Sequence, residues 1–393
     1  MRHIAQIVFL LGLLSAAVAQ ANPAAPAAKF HLPAGTHSVP QLLEMVSQAV
    51  RCPVALDPDV AAAELEPLQL QRDLALSSND WEDGLSALLE ARGLVVTFDA
   101  ANRRHEVMAI PTQRTDWLLD RARPMTLAEF ATRPGVRGPV RVTMQPAQSP
   151  ELLINLLRPY LMMRPVAIAS EVQGKDLVLT SLAPNVRFAL GVFVGLDSTL
   201  ASCWPAGTPP AWPRAAAGDH TLAAGSYTIG ELLDALALRL GRNILYSAAV
   251  AAPDSKIQVA EPIRGDSLAF EAMLSSLLWQ SRVLVLELAP HLDLYEAVQV
   301  TDPRRLPLHR AHTISAPELL ARPDLVALVR VPYALDEESI PAALIKVRAL
   351  MANGAAHSVT VGTCHASMMF EGLSLHLVPM LQQVTSEPSA EDK

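Results

Sequence analysis

The stretch LPAGTHSVPQLLEMVSQAV, residues 32–50, decides the fold, because it returns as LAAGSYTIGELLDALALRL at residues 222–240 without a gap. Both begin with Leu, then Ala-Gly, then Thr or Ser, and both carry a paired Leu-Leu. In the first copy Val39, Leu42, Leu43, Val46 and Val50 recur at helical spacing, so they share one face of a helix. Ser38 or Thr36 is placed to cap it.

The repetition extends outward from there. LSALLEARGLVV at 85–96 matches LSSLLWQSRVLV at 274–285, and VMAI at 107–110 matches AVQV at 297–300. A unit A, residues 29–110, therefore recurs at 219–300. The segments that follow also match: EFATRPGVRGPVRVTM from Glu129 aligns with ELLARPDLVALVRVPY from Glu318. This second unit, B, spans 122–197 and recurs at 304–379. The chain reads A-B-A-B, a pattern that governs the whole architecture. The Pro-rich linker STLASCWPAGTPPAWPRAAAG, 198–218, divides the halves. The polar end of the chain, 380–393, is expected to be a disordered tail.

Periodicity predicts β-α-β-β-α-β-β for unit A. VALD and LEPLQLQ read as strands, SSNDWEDGLSALLEARG as a helix closed by Gly93, and LVVTFD with HEVMAI as a hairpin. Unit B reads as strand VRVTM, helix SPELLINLLRPYL, strands PVAIAS and DLVLTS, and helix APNVRFALGVFVGLD, which is β-α-β-β-α. The fold class is α+β: four small domains with helices on one side of each sheet.

The first residues read as an export signal. Arg2 and His3 precede the apolar run IAQIVFLLGLL, and Ala19 and Ala21 offer a cleavage site before Asn22. The run is shorter than the ~20 residues a membrane-spanning helix needs, so residues 1–21 are expected to be removed and the chain to work in the periplasm. The retained segment, as an anchor, is the alternative. Three cysteines, Cys52, Cys203 and Cys364, do not make a disulfide framework.

The chain has 393 residues, 51% of them hydrophobic and 18% charged, with a net charge of −8. That balance supports several buried cores and disfavours binding to a phosphate backbone. The charge is unevenly placed. Residues 22–110 carry six basic and twelve acidic side chains and 218–300 carry five and ten; residues 111–197 carry ten and seven, and 301–379 seven of each. Both A units are acidic and neither B unit is; the plain reading is chance on ordinary solvated surfaces, and the sharper one is that A faces pack against B faces, within one chain or between copies.

No catalytic spacing emerges. HExxH, GxSxG, the P-loop and the dinucleotide fingerprint are all missing. His309 and His312 lie three apart without further ligands, and Cys364-His365 are neighbours whose side chains point to opposite faces of a strand. No catalytic, metal or cofactor-binding residue is assigned. Trp204 and Trp212 in the linker are the two candidate partner-binding residues; packing on a neighbouring domain is their plainer role.

With these residues in hand, unit A resembles the secretin/TonB short N-terminal domain, through ALDPDV at 55–60 and the LSALLEARGLVV helix and strand. The second copy departs, with LYSAAV in place of the Asp-Pro step and Arg282 in place of Gly93. Unit B resembles the K-homology-like repeat that follows in secretins, through DLVLTSLAPNVRFALGVFVGLD at 176–197. The resemblance implies a non-enzymatic periplasmic protein that contacts other components of a type II secretion or type IV pilus-like envelope machine, including a barrel-forming secretin. The channel domain of secretins has no counterpart after residue 379. Assembly of the chain with itself is left open. The alternative is a periplasmic sensor or adaptor that uses the short domain as TonB-linked receptors do. K-homology folds often bind RNA, but the turn LMMRPVA lacks the GxxG clamp and aromatics are only 5%, so no nucleic-acid partner is expected.

Overall fold

The computed structural model describes residues 29–77, 81–99, 102–110, 120–133, 135–161, 166–194, 218–252, 254–302, 306–335, 338–351, 357–362 and 367–385. The signal segment, most of the Pro-rich linker and Cys364-His365 lie outside them. The described chain is mixed α+β, built from small sheets and twelve short helices.

The first helix forms where the repeat predicts. Helix α1 (Val39–Val50) follows strands β1 (Lys29–Leu32) and β2 (Gly35–His37). Ser38 closes a capping box with Gln41, which satisfies two backbone donors at once. Val39, Leu42, Leu43 and Val46 are buried, while Val50 packs at the margin of the same core. The chain continues through β3 (Val54–Leu56), the single turn α2 (Pro58–Ala61), β4 (Leu68–Leu70), β5 (Leu74–Ser77), α3 (Trp81–Glu90) and the hairpin β6 (Leu94–Asp99) and β7 (Arg104–Ala109). β3 lies parallel to β7 and β6 antiparallel to it. The expected seven elements are present; β1, α2 and β5 are additions, too short to show a period.

Residues 219–299 repeat this order: β12 (Asp219–Leu222), β13 (Gly225–Thr228), α7 (Ile229–Leu240), β14 (Asn243–Leu245), α8 (Ala248–Ala251), β15 (Lys256–Val259), β16 (Ile263–Asp266), α9 (Ser267–Gln280), β17 (Val283–Ala289) and β18 (Leu294–Gln299). Register agrees too: Leu32 faces Leu74 in one half, Leu222 faces Ile263 in the other.

Residues 123–194 form β8 (Arg123–Thr126), α4 (Leu127–Ala131), β9 (Pro139–Met144), α5 (Pro150–Leu161), β10 (Ala169–Gln173), β11 (Asp176–Leu182) and α6 (Ala183–Val194), with sheet order β10-β11-β9-β8. Residues 312–385 have the same order: β19 (His312–Thr313), α10 (Ala316–Leu320), β20 (Leu328–Ala334), α11 (Ile340–Met351), β21 (His357–Gly362), β22 (Ser367–Leu373) and α12 (Ser374–Thr385). The five-element expectation thus needs correction. An edge strand and a one-turn helix precede it in each copy, and β8 and β19 pair parallel to their neighbours. Pro124 hid β8, although an edge strand tolerates proline. The tail needs correction as well. Residues 380–385 belong to α12, where Met380 and Leu381 are buried.

Two helix ends show how the halves differ. The residue after α1 is Arg51, at φ 53°, and its counterpart after α7 is Gly241, at φ 72°. The residue before β6 is Gly93, at φ 67°, and its counterpart before β17 is Arg282, at φ 58°. Each half keeps glycine at one of the two left-handed positions. A Cβ there costs about 1–2 kcal/mol, part of which glycine returns through chain entropy. Arg51→Gly is exposed and loses no packing, so it should raise unfolding free energy by about 0.5–1 kcal/mol in urea melts. Arg282→Gly should gain less, because the Arg282 guanidinium lies 5.1 Å from the Trp279 ring.

The cores do not respect the boundaries of the halves. Leu42, Val46, Leu68, Leu85, Leu88 and Val107 share one apolar cluster with Leu245, Leu288, Ala289 and Leu294. Each such leucine contributes about 1.5–3 kcal/mol by leaving water, so the two distant segments are held together by ordinary hydrophobic burial.

Candidate interaction site

Glu90 ends helix α3 and points where four stretches of chain meet. Its carboxylate accepts from Arg137 Nε at 2.9 Å and from Arg310 Nη2 at 2.8 Å. Arg137 precedes β9; Arg310 closes a 3-10 turn (Leu308–Arg310) before β19. Arg137 also donates to the carbonyl of Leu288, and Arg310 to Glu296 on β18. Side-chain exposure is 14% for Glu90 and Arg137, 11% for Arg310 and 15% for Glu296. Glu90, Arg137, Glu296 and Arg310 belong to residues 29–110, 122–197, 219–300 and 304–379 in turn. Burial alone would raise the Glu90 carboxyl, but the two guanidiniums outweigh it and hold it at about 2. Burial pulls Arg310 down, and Glu90 and Glu296 more than reverse that.

Other pairs repeat the theme. His312 Nδ1 lies 2.6 Å from Glu287 Oε1, joining β19 to β17. Glu106 on β7 binds Arg121, just ahead of β8. The acidic residues of 29–110 and 219–300 thus meet basic residues of 111–197 and 301–379, which agrees with the packing reading of the charge bias rather than the plain one. A separate buried pair, Arg242–Glu271, sits inside the second half with the Arg242 guanidinium 4.9 Å from the Tyr295 ring.

Neutral contacts finish the joint. The Gln71 side chain donates to the carbonyl of Ile244 and accepts from its N–H, both at 3.0 Å. It replaces a strand partner for β14. The Arg72 N–H donates to Asn243 Oδ1 at 2.9 Å. Arg330 on β20 pairs with Glu371 and stacks 4.8 Å from Phe188 of α6, tying the last segment to the second.

A cleft of about 720 Å³ opens between β6 and β8, lined by Phe98, His105, Asp120, Arg123, Arg133 and Val140. Both strands are edges of their sheets, so they are open to pairing by an extended segment.

Among the described residues no cluster of three or more His, Cys, Asp or Glu could hold a metal ion, and no helix is long and apolar enough to cross a membrane. Trp204 and Trp212 lie outside the described residues. His312 is engaged with Glu287 rather than with a ligand set. The residues that sequence reasoning passed over are Glu90, Arg137, Glu296 and Arg310. Segment charge showed which units attract; it could not single out these four, because each looks like an ordinary surface charge in its local sequence.

No family model and no curated protein matches the chain. Several solved structures do. The N-terminal domain of the secretin XcpQ from Pseudomonas aeruginosa is 9% identical, covering 64% of this chain and 99% of that one at a TM-score of 0.17. The GspC-GspD complex of the type II secretion system of enterotoxigenic Escherichia coli is 15% identical over 41% and 93%, at 0.16. The Klebsiella pneumoniae type II secretion outer membrane complex of PulD, PulS and the PulC HR domain is 9% identical over 90% of this chain and 50% of that chain, at 0.26.

Proposed function

We propose that this chain is a non-enzymatic scaffold of a bacterial envelope machine of the type II secretion or type IV pilus kind, working in the periplasm after cleavage near Ala21. Its halves arose by duplication of an A-B pair, with domains at 29–110, 122–197, 219–300 and 304–379 joined by the linker at 198–218. The observation that carries the reading is the junction at Glu90. The Glu90 carboxylate binds arginines from two other segments, and those arginines hold Leu288 and Glu296 of the fourth, so the modules present their outer faces in a fixed relation. Rigidity of this kind serves docking, because modules held in a fixed relation lose little freedom when a partner binds. The sequence resemblance to the periplasmic domains of secretins supplies the setting, and the open edges of β6 and β8 supply surfaces for partners.

The test is the mass of residues 22–393 by light scattering, alone and after incubation with a detergent extract of its own envelope. Migration in a larger complex that contains a barrel-forming secretin is the expected result. A monomer that recruits nothing would overturn the proposal.

A further inference from the structure

The joint between units A and B is built twice, and the two builds differ in what fills them. Glu106 binds Arg121 in the first half, and Glu296 binds Arg310 at the matching places in the second. Ala183 N–H donates to the carbonyl of Gly138, and Ser374 N–H to that of Ala327. Sheet register sets Phe98 opposite His105 and Glu287 opposite Tyr295. The cleft of about 720 Å³ therefore has a counterpart in the second half, and that counterpart holds only about 30 Å³.

Larger side chains account for part of the difference. Tyr295, Leu286 and Leu325 stand where His105, Thr97 and Val136 do. The other filler is a guanidinium. Arg242 follows Gly241 at the end of α7 and donates to both oxygens of Glu271, with its guanidinium 4.9 Å from the Tyr295 ring. Its counterpart after α1 is Cys52: Arg242 N–H donates to the carbonyl of Ala237, and Cys52 N–H to that of Ser47. Cysteine is too short to cross to Glu82, which matches Glu271. The Glu82 side chain is 43% exposed against 9% for Glu271, and it meets the His105 ring at 3.7 Å.

We infer that the open cleft of the first half is a docking site for an extended segment of a partner protein, which sets an arginine side chain onto Glu82 beside the His105 ring. The inference deepens the scaffold reading and rests on it. The second half supplies the chemistry of the occupant: a guanidinium forked onto a carboxylate and laid against an aromatic ring, a geometry that lysine does not offer. The charge of the lining agrees. It holds four carboxylates and three arginines, and one of those arginines, Arg121, is tied to Glu106. The extended shape follows from the edge of β6. Ile110 N–H donates to the carbonyl of Gly93, so alternate residues from 93 to 99 face β7, and the N–H and C=O of Phe98 turn outward. The Phe98 ring, 48% exposed and 5.1 Å from that of His105, gives the segment apolar cover.

The experiment uses the whole chain in the envelope of its own host, with a benzophenone side chain as the probe at position 98 and, as a control away from the cleft, at Leu238 of α7, which is 60% exposed. The expected result is an adduct with a different protein from 98 and none with that protein from 238. The joined segment should carry an arginine. Glu82→Gln should lower the yield by about tenfold or more, and exchange of the partner's arginine for lysine should do the same. Glu44→Gln, which removes an exposed charge from α1, should leave the yield unchanged. A joined segment without arginine, a yield insensitive to Glu82→Gln or to the lysine exchange, or an equal loss from Glu44→Gln overturns the site. So does an adduct to a second copy or within this chain. An absent adduct in a chain that still sediments with a secretin also overturns it, and the scaffold reading then survives. A chain in no complex at all removes both.

Discussion

Glu90→Gln should cost about 3–5 kcal/mol of unfolding free energy, the range for breaking a buried ion pair by removing one partner. Glutamine keeps the size of the side chain but strips the charge that Arg137 and Arg310 face. Arg310 retains Glu296 and Arg137 retains the carbonyl of Leu288, so the loss falls at the seam rather than throughout. Denaturant midpoints should fall, and amide exchange at 288–296 should speed up before that of α1. Because the group is only 14% exposed, 0.5 M salt should leave the difference nearly unchanged, unlike that of a surface pair. A midpoint unchanged within about 0.5 kcal/mol would show that the junction does not hold the segments.

The same carboxylate sets an acid limit. Its folded value is about 2 against an ordinary 4.5. A depressed carboxylate contributes stability that is whole above 4.5 and lost as pH falls from 4.5 towards 2. The contribution is about 3 kcal/mol at neutral pH. Wild type should therefore lose more stability than Glu90→Gln between pH 5 and 2.5, and the two curves should converge at the acid end. Parallel curves would deny the link.

Much of this was readable in the residues, and the reason is physical. Hydrophobic period and capping are local, so α1 with a cap at Ser38 or Thr36, the α3 helix, and the hairpin at 94–109 could be placed from sequence, and the structure chose Ser38. The repeat then carried those placements to 219–300. What stayed hidden is tertiary. Leu288 and Leu294 look like strand residues of their own segment, yet they complete the core of the other half. Glu90 looks like a solvated helix end; only the approach of Arg137 and Arg310 from distant segments makes it a junction. Charge totals gave the sign of these encounters, while their location needed the fold.

Gly84→Met, which writes the second half's residue into the first, should destabilise the chain by about 1–3 kcal/mol, the usual cost of overpacking. Propensity argues the other way, since methionine is the better helix former by nearly 1 kcal/mol. Packing decides. A Cβ at 84 would overlap Leu76 Cδ2 and stand 3.2 Å from Leu292 Cδ1, and the longer side chain has no exit between α3 and the knuckle formed by Leu288, Leu292 and Leu294. The Leu76 contact is the end of a flexible side chain and yields by rotation. Leu292 sits on a tight 3-10 turn (Pro290–Leu292) and yields only if the knuckle lifts. The strain therefore concentrates on the joint between the halves. Adding Leu292→Ala should recover at least half of the loss, a coupling of about 0.5–1.5 kcal/mol in a double-mutant cycle. Met273→Gly, at the matching place in the second half, should cost little beyond the propensity difference, about 1 kcal/mol, because that residue is 45% exposed. Equal costs at 84 and 273, or an additive double mutant, would mean that the knuckle does not rest on α3, and the asymmetry between the two helices would lose its meaning.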